Sequence, residues 1–447
     1  MKKIIFLFFS FLFVTSCSNK ENPVTKISGN IQNIEADTVF LINGNFKKAI
    51  ALENGIFSDT VKIKRNSFYF LLSGNERTLV YLEPGDSLFI WADAEKFDES
   101  IRFGGDLEKE NQYLAQDYLY EESLLEEPET LFSLDPEAYY SKISELKYNS
   151  TQELKNAKLS SSFQKLQEKN ILYRHISLLL QYPEAHTYFA NQPTQLPPNF
   201  QKEIDAIDLN NEEDFLTIPN YMDLVINQYG LNLEKANSIE AKEDVLKGIT
   251  SSQIRDEVMK FWLYYAISAS DEESMKYADL IYKWGKSENL KTETREKIKR
   301  IQAILPGNPS PSFEYADIAG NKVKLEDLKG KLVYLDIWAT WCGPCIREIP
   351  YMKKLQMDYK GKNIEFVGIS VDEEEDFQTW KKMVADKDLK GIQLFAEGSW
   401  QSQFIASYGI DAIPRFILLD REGKIISSDA PRPSDQEIRY LIDKNLD

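Results

Sequence analysis

The sequence predicts a multidomain chain. An N-terminal antiparallel β domain occupies residues 24–103, an all-α middle domain 104–304 and a C-terminal α/β domain 305–447. Three observations carry this. Short β-rich runs alternate with turn signals up to about Phe103, apolar residues recur at helical spacing from Asp106, and strand-like and helical segments alternate after a proline-rich break at Pro306. At 447 residues the chain exceeds what one core usually organises. A composition 43% hydrophobic and 28% charged is globular rather than disordered.

The first element is a leader. Lys2 and Lys3 precede an apolar run from Ile4 to Val14, too short to span a bilayer stably. The run ends in Val14-Thr15-Ser16-Cys17, where small residues directly before Cys resemble a bacterial lipoprotein box. The expectation is a signal peptide over 1–16, lipidation of Cys17 and a polar tether over 17–23. Multiple acyl chains would give durable anchoring where one gives marginal binding. The alternative is an ordinary secretory signal with a chance Cys. Ser18 stands where Asp would resemble an inner-membrane retention signal, which favours the outer membrane in a Gram-negative envelope.

From Val24 the β domain reads as strands closed by turns at Asn43-Gly44-Asn45, Asn54-Gly55, Ser73-Gly74-Asn75 and Glu83-Pro84-Gly85-Asp86, a sandwich-like pattern. Gly104-Gly105 marks the change to helical period, as in Ile254, Val258, Phe261, Trp262 and Tyr265. His175 and His186, the only histidines, lie in this region. Two isolated histidines do not make a metal site, so they are read as partly buried or surface residues and no metal is expected. Pro306–Pro311 reads as a linker. Beyond it, Leu332–Trp338 and Ile364–Val371 read as strands around a helix at Gly343–Tyr359. Helices over Glu373–Lys387 and Trp400–Tyr408, a short strand at Gln393–Ala396, a hairpin of Arg415–Leu419 with Lys424–Ser428 and a last helix after Ser434 complete the domain.

A net charge of −18 argues against nucleic acid, whose phosphates need clustered Lys and Arg. Cysteine usage is more telling. There are three, and if Cys17 carries lipid, Cys342 and Cys345 are the remaining thiols. No disulfide framework is available, although an exported protein would tolerate one. The segment Trp341-Cys342-Gly343-Pro344-Cys345 follows a strand and opens a helix. Thiol–disulfide exchange needs an accessible thiolate and a second thiol near enough to resolve the mixed disulfide. Cys342 at the helix start gains from unpaired N–H groups and the dipole. Cys345 lies one turn in and fits the resolving role. Pro344 suits the first turn, where its missing N–H would have had no partner. Zinc would need a second pair of ligands, and haem attachment a His where Ile346 stands.

With these residues named, the C-terminal third resembles the TlpA/ResA branch of the thioredoxin superfamily. The resemblance rests on Leu335 through Cys345, on Glu348 and Pro350 after the pair, on Ile413-Pro414 before the hairpin, and on Pro311-Ser312-Phe313 with Asp317, Gly320 and Leu325–Lys331. It implies a thioredoxin-like domain and a set of roles. Asp336 becomes a proton acceptor for Cys345, against the reading of a strand-end carboxylate in water. Glu348 becomes an acid tuning the thiols, against a helix-dipole partner. Pro414 becomes a cis-proline, against a trans turn or strand-edge residue, presenting the Ile413 backbone to a substrate peptide. Trp341, Gly343 and Pro344 line the substrate surface, although Trp338 and Trp341 are each compatible with a core position.

These readings point to a thiol–disulfide oxidoreductase cycling Cys342 and Cys345 between dithiol and disulfide, with no other cofactor. The intervening Gly-Pro matches thioredoxin and favours reduction. The expected partners are disulfide-containing exported proteins, a membrane electron donor of unknown identity and the membrane itself through the lipid anchor; nucleic acid is excluded. The expected location is the periplasm-facing cell envelope. Two rivals stand beside this reading: a peroxiredoxin-like peroxidase, and a binding or scaffold lipoprotein with an accessory thioredoxin domain.

Overall fold

The computed structural model describes residues 24–446 apart from 45, 126 and 269–272. The expected signal peptide, the tether up to Pro23 and Cys17 lie outside the described residues. Compactness divides the chain into two units, one ending at Leu231 and the other beginning at Asn232. The helices of the middle region are therefore shared between the two.

In the first unit, strands β1 (Thr25–Gln32), β7 (Ser87–Asp93), β4 (Ile56–Val61) and β8 (Arg102–Gly105) form a sheet in the order β4-β1-β7-β8. A second sheet has the order β3-β2-β5-β6, from β2 (Thr38–Asn43), β3 (Phe46–Ala51), β5 (Ser67–Ser73) and β6 (Glu76–Leu82). Thr25, Ile27, Gly29 and Ile31 are buried while the residues between them face outward, the period-two pattern of a one-sided sheet. The wholly antiparallel domain expected from the sequence is corrected here. β1 and β7 run parallel, Ile27 opposite Leu88. Parallel neighbours need a long crossover, and here the second sheet's strands supply it. Gly29 is required at this pairing, because a Cβ there would lie 2.4 Å from the Ile90 carbonyl and 2.6 Å from the Phe57 ring.

Helices Glu108–Leu125, Pro136–Asn156 and Ser161–Ala190 complete the core of this unit. The fully buried Asn111 gives its amide to the backbone of Tyr81, accepting from its N–H at 2.7 Å and donating to its carbonyl at 3.0 Å. Phe163 packs against the Phe68, Tyr81 and Tyr113 rings. Both histidines are buried: Nε2 of His175 lies 3.2 Å from Glu203, and Nδ1 of His186 lies 2.7 Å from the Phe132 carbonyl. Among the described residues no group of three or more His, Cys, Asp or Glu is arranged to hold a metal, and no helix is long and apolar enough to cross a membrane.

The second unit contains helices Ile239–Gly248, Ser252–Ala266, Ser274–Trp284 and Glu288–Ala303 and a seven-stranded mixed sheet. Its strands are β9 (Glu314–Asp317), β10 (Lys322–Lys324), β11 (Leu332–Trp338), β12 (Ile364–Ser370), β13 (Ile392–Phe395), β14 (Arg415–Leu419) and β15 (Ile425–Ser427). They lie in the order β10-β9-β13-β12-β11-β14-β15, with β11, β12 and β13 parallel. β11 is apolar on both faces because both are covered. Val333, Leu335 and Ile337 enter a core with Trp380 and Phe404, while Leu332 and Tyr334 enter another with Leu355, Phe416 and Ile438. The Pro306–Pro311 segment is not a free linker. The Gly307 and Ser310 N–H groups donate to Ile425 and Gly423 carbonyls, and Ile425 donates back to Asn308, so the segment lies along β15.

Candidate active site

β11 ends at Trp338, and a four-residue loop delivers the chain into the helix Gly343–Asp358. Cys342 is the N-cap of that helix, and its Sγ accepts the Cys345 N–H at 3.1 Å. Pro344 occupies the first turn. The two sulfurs are joined in a disulfide, with Cα atoms 5.3 Å apart. Both cysteines are shielded, at 4% and 5% exposure, under exposed Gly343 and Pro344. A thiolate at Cys342 would face free helix N–H groups and the positive dipole end.

The loop is held by a carboxylate that sequence reasoning missed. Asp372, fully buried just past β12, accepts from the Thr340 N–H at 3.0 Å and from its hydroxyl at 2.7 Å. Ser370 donates to the same carboxylate at 2.6 Å. A signal was present: Ser370 and Asp372 are polar residues closing an apolar strand at its carboxyl end, where parallel sheets gather their sites.

Behind the pair, Asp336 follows Leu332 and Tyr334 in strand parity and turns toward the active-site helix. It lines a small cavity with Cys345. Burial, and then the charge of Glu348, push its carboxyl up to about 7. Its Oδ1 is out of solvent contact and has no protein partner. This is a half-buried, desolvated carboxyl sharing a cavity with Cys345, not a strand-end carboxylate in water.

Glu348 is buried, and both of its oxygens are occupied. Oε2 accepts the Ser434 N–H at 3.0 Å and Oε1 the Ser434 hydroxyl at 2.9 Å. It lies beyond the first turn of its helix, where the dipole has faded. The alternative of a dipole partner therefore fails, and its charge acts on Asp336.

The Ile413–Pro414 peptide bond is cis. Arg415 pairs with Ile337 across β14 and β11, so one further step of the register sets Pro414 opposite Trp338, at the edge of the cysteine loop. Ile413 packs against the core beneath. The two tryptophans part company: Trp338 is core at 3% exposure, whereas Trp341 is 58% exposed, its ring 6.4 Å from that of Trp400. The structure thus brings Cys342, Cys345, Asp336, Trp341, Gly343, Pro344, Ile413 and Pro414 around one strand end, with Glu348 behind. Cys17 lies outside the described residues.

The C-terminal third is similar to known proteins. A family model described as Redoxin matches residues 305–441. The thiol–disulfide oxidoreductase ResA of a Bacillus cereus strain is 33% identical over 138 residues, covering 31% of this chain and 77% of that protein. ResA of Bacillus subtilis (strain 168) is 31% identical over 127 residues, 28% of this chain and 67% of that one. The crystal structure of the thioredoxin domain of a thiol–disulfide oxidoreductase from Bacteroides vulgatus is 30% identical with a TM-score of 0.29, covering 32% of this chain and 99% of that one. A cysteine pair capping a helix at the end of a central strand, in a domain that matches most of ResA, places the chain by its C-terminal third in the ResA family of thiol–disulfide oxidoreductases, within the thioredoxin superfamily.

Proposed function

We propose that this enzyme reduces disulfides of exported proteins from the cell envelope, anchored by lipid on Cys17 and recharged by a membrane electron donor. The observation that carries the reading is the half-buried Asp336 beside Cys345, its Oδ1 out of solvent contact and its proton affinity near neutrality. Cys342, as thiolate, attacks the client disulfide and expels one client thiolate. Asp336 takes the proton of Cys345, whose thiolate then attacks Cys342 and expels the second client thiolate. One proton leaves Asp336 for solvent, one client thiolate takes up a proton, and the enzyme is left as the disulfide. Trp341 and the Ile413 backbone beside Pro414 offer a surface and a strand edge for the client peptide.

The direction rests on the residues between the cysteines. Gly343 and Pro344 are those of thioredoxin, whose potential is about −270 mV, and the strong oxidant DsbA stands at about −120 mV. Equilibrating the full chain with glutathione and dithiothreitol buffers tests this. A potential near the thioredoxin end is expected, and one near the DsbA end reverses the direction. The anchor is tested separately: Cys17→Ser should release the protein from the membrane fraction while leaving the potential unchanged.

A further inference from the structure

Asp336, Gly368 and Gln393 stand in one row across three neighbouring parallel strands, Asp336 opposite Gly368 and Gly368 opposite Gln393. The absent side chain in the middle matters. A Cβ on Gly368 would lie 2.5 Å from Oε1 of Gln393, so glycine lets the Gln393 amide fold over the strand toward Asp336. Between them lies a cavity of about 30 Å³ lined by Asp336, Cys345, Gln356, Gln393, Lys353 and Lys390.

Three buried acceptors share this place: Oδ1 of Asp336, Oε1 of Gln356 and Oε1 of Gln393, none with a protein donor. The two glutamines are not loosely placed. Each donates its Nε2 to the Lys390 carbonyl, at 3.1 Å from Gln356 and 2.9 Å from Gln393, which fixes both amides with their oxygens free. The nearby ammonium groups are engaged elsewhere, Lys353 with the Lys387 carbonyl and Lys390 with Asp388. Buried acceptors left unpaired are costly. The cavity is walled on its other side by apolar Ile349 and Leu389, and its volume holds about two water molecules, whose O–H groups can satisfy the three acceptors and link them into a proton path.

We propose that the Gly368 notch, Gln393 and Gln356 form a water site that carries the proton of Cys345 to Asp336 and from Asp336 out past Lys390, with Gln393 as its positioning residue. The inference rests on Asp336 acting as the acceptor. The charged and titratable groups facing that carboxyl are Tyr334 on its own strand, Cys345, Glu348 and Lys353 on the active-site helix, and Lys390 on the loop before β13. Drying the cavity leaves the ionised Asp336 less solvated, so its carboxyl holds its proton to higher pH and becomes an acceptor later in a titration.

The test is reaction of the reduced full chain with 5,5′-dithiobis(2-nitrobenzoic acid), following release of the first and second equivalents of aryl thiolate against pH. The first reports attack by Cys342, the second resolution by Cys345. Two variants dry the site independently: Gln393→Met removes the amide, and Gly368→Ala fills the notch against the movable end of one side chain. Both should leave the first phase as in wild type, slow the second about tenfold near pH 7 and move its midpoint upward by about one unit, a tenfold change being about 1.4 kcal/mol of barrier. Second phases with wild-type rate and midpoint in both variants overturn the water site, as does equal slowing of both phases, which marks a merely structural defect. Loss of either phase in the wild type instead strikes the reductase reading itself.

Discussion

Asp336 carries opposed demands. Its carboxyl titrates near 7 in the folded chain and near 4 in an unfolded one, so the folded state binds the extra proton between those values. Any stability from the neutral form is fully present below about pH 4 and is lost as pH rises through about 7. Asp336→Asn removes the ionisation. Urea unfolding at pH 8 should show the variant more stable by about 2–4 kcal/mol, with the difference gone at pH 4. Reduction of a disulfide substrate should slow at the same time. A variant that is no more stable at pH 8 would refute the buried-acid assignment. Residue chemistry of this kind was legible in the sequence wherever it is local. Cys342, Cys345 and Pro344 announce themselves by spacing at a strand–helix junction, whereas Asp336 was reached through the family resemblance. Asp372, Gln393 and Gly368 were not legible, because their meaning depends on which strand lies beside which.

At the scale of elements, loops and helix ends are tied down by single buried side chains. The cysteine loop hangs on Asp372. In Asp372→Ala the buried Thr340 N–H and hydroxyl lose their acceptor, and a loss of about 3 kcal/mol is expected in denaturant unfolding. Reduction rate should fall more than stability alone explains, since misplacement by 1 Å costs about a hundredfold. In the other unit, Asn111 acts as a short strand for Tyr81, and Asn111→Ala should cost about 2–4 kcal/mol by orphaning one N–H and one carbonyl. A calorimetric shift smaller than about 2 °C would count against that role. Five of the seven strands of the C-terminal sheet, β11 to β15, match their expected ranges within a residue or two, because β-runs and turns are local signals. The parallel pairing of β1 with β7 escaped, since nothing in either strand names a partner some sixty residues away.

For the whole molecule, the division at Asn232 gives a sharper expectation than domain boundaries drawn on composition. Ile304 belongs to the core of the C-terminal sheet, and helix Glu288–Ala303 buries Ile298 and Ile301. A fragment from Asn232 to Asp447 should keep cooperative unfolding and disulfide reduction. One starting at residue 305 should lose several degrees of Tm, because it strips Ile304 and that helix from their contacts. Equal Tm values for the two fragments would show the helices to be dispensable. Composition alone hid this, since a Pro- and Gly-rich stretch reads the same whether it swings or is paired.

That pairing of Gly307 and Ser310 with the last hairpin has a hydrodynamic meaning. A thioredoxin domain on a spacer would tumble fast, with a short rotational correlation time of its own. Stitched along β15, it shares its rotation with the helices before it, and amide relaxation across residues 273–446 should report a single slow rotor. The cysteine pair then reorients only as fast as that larger body, rather than as a small head sweeping on a string.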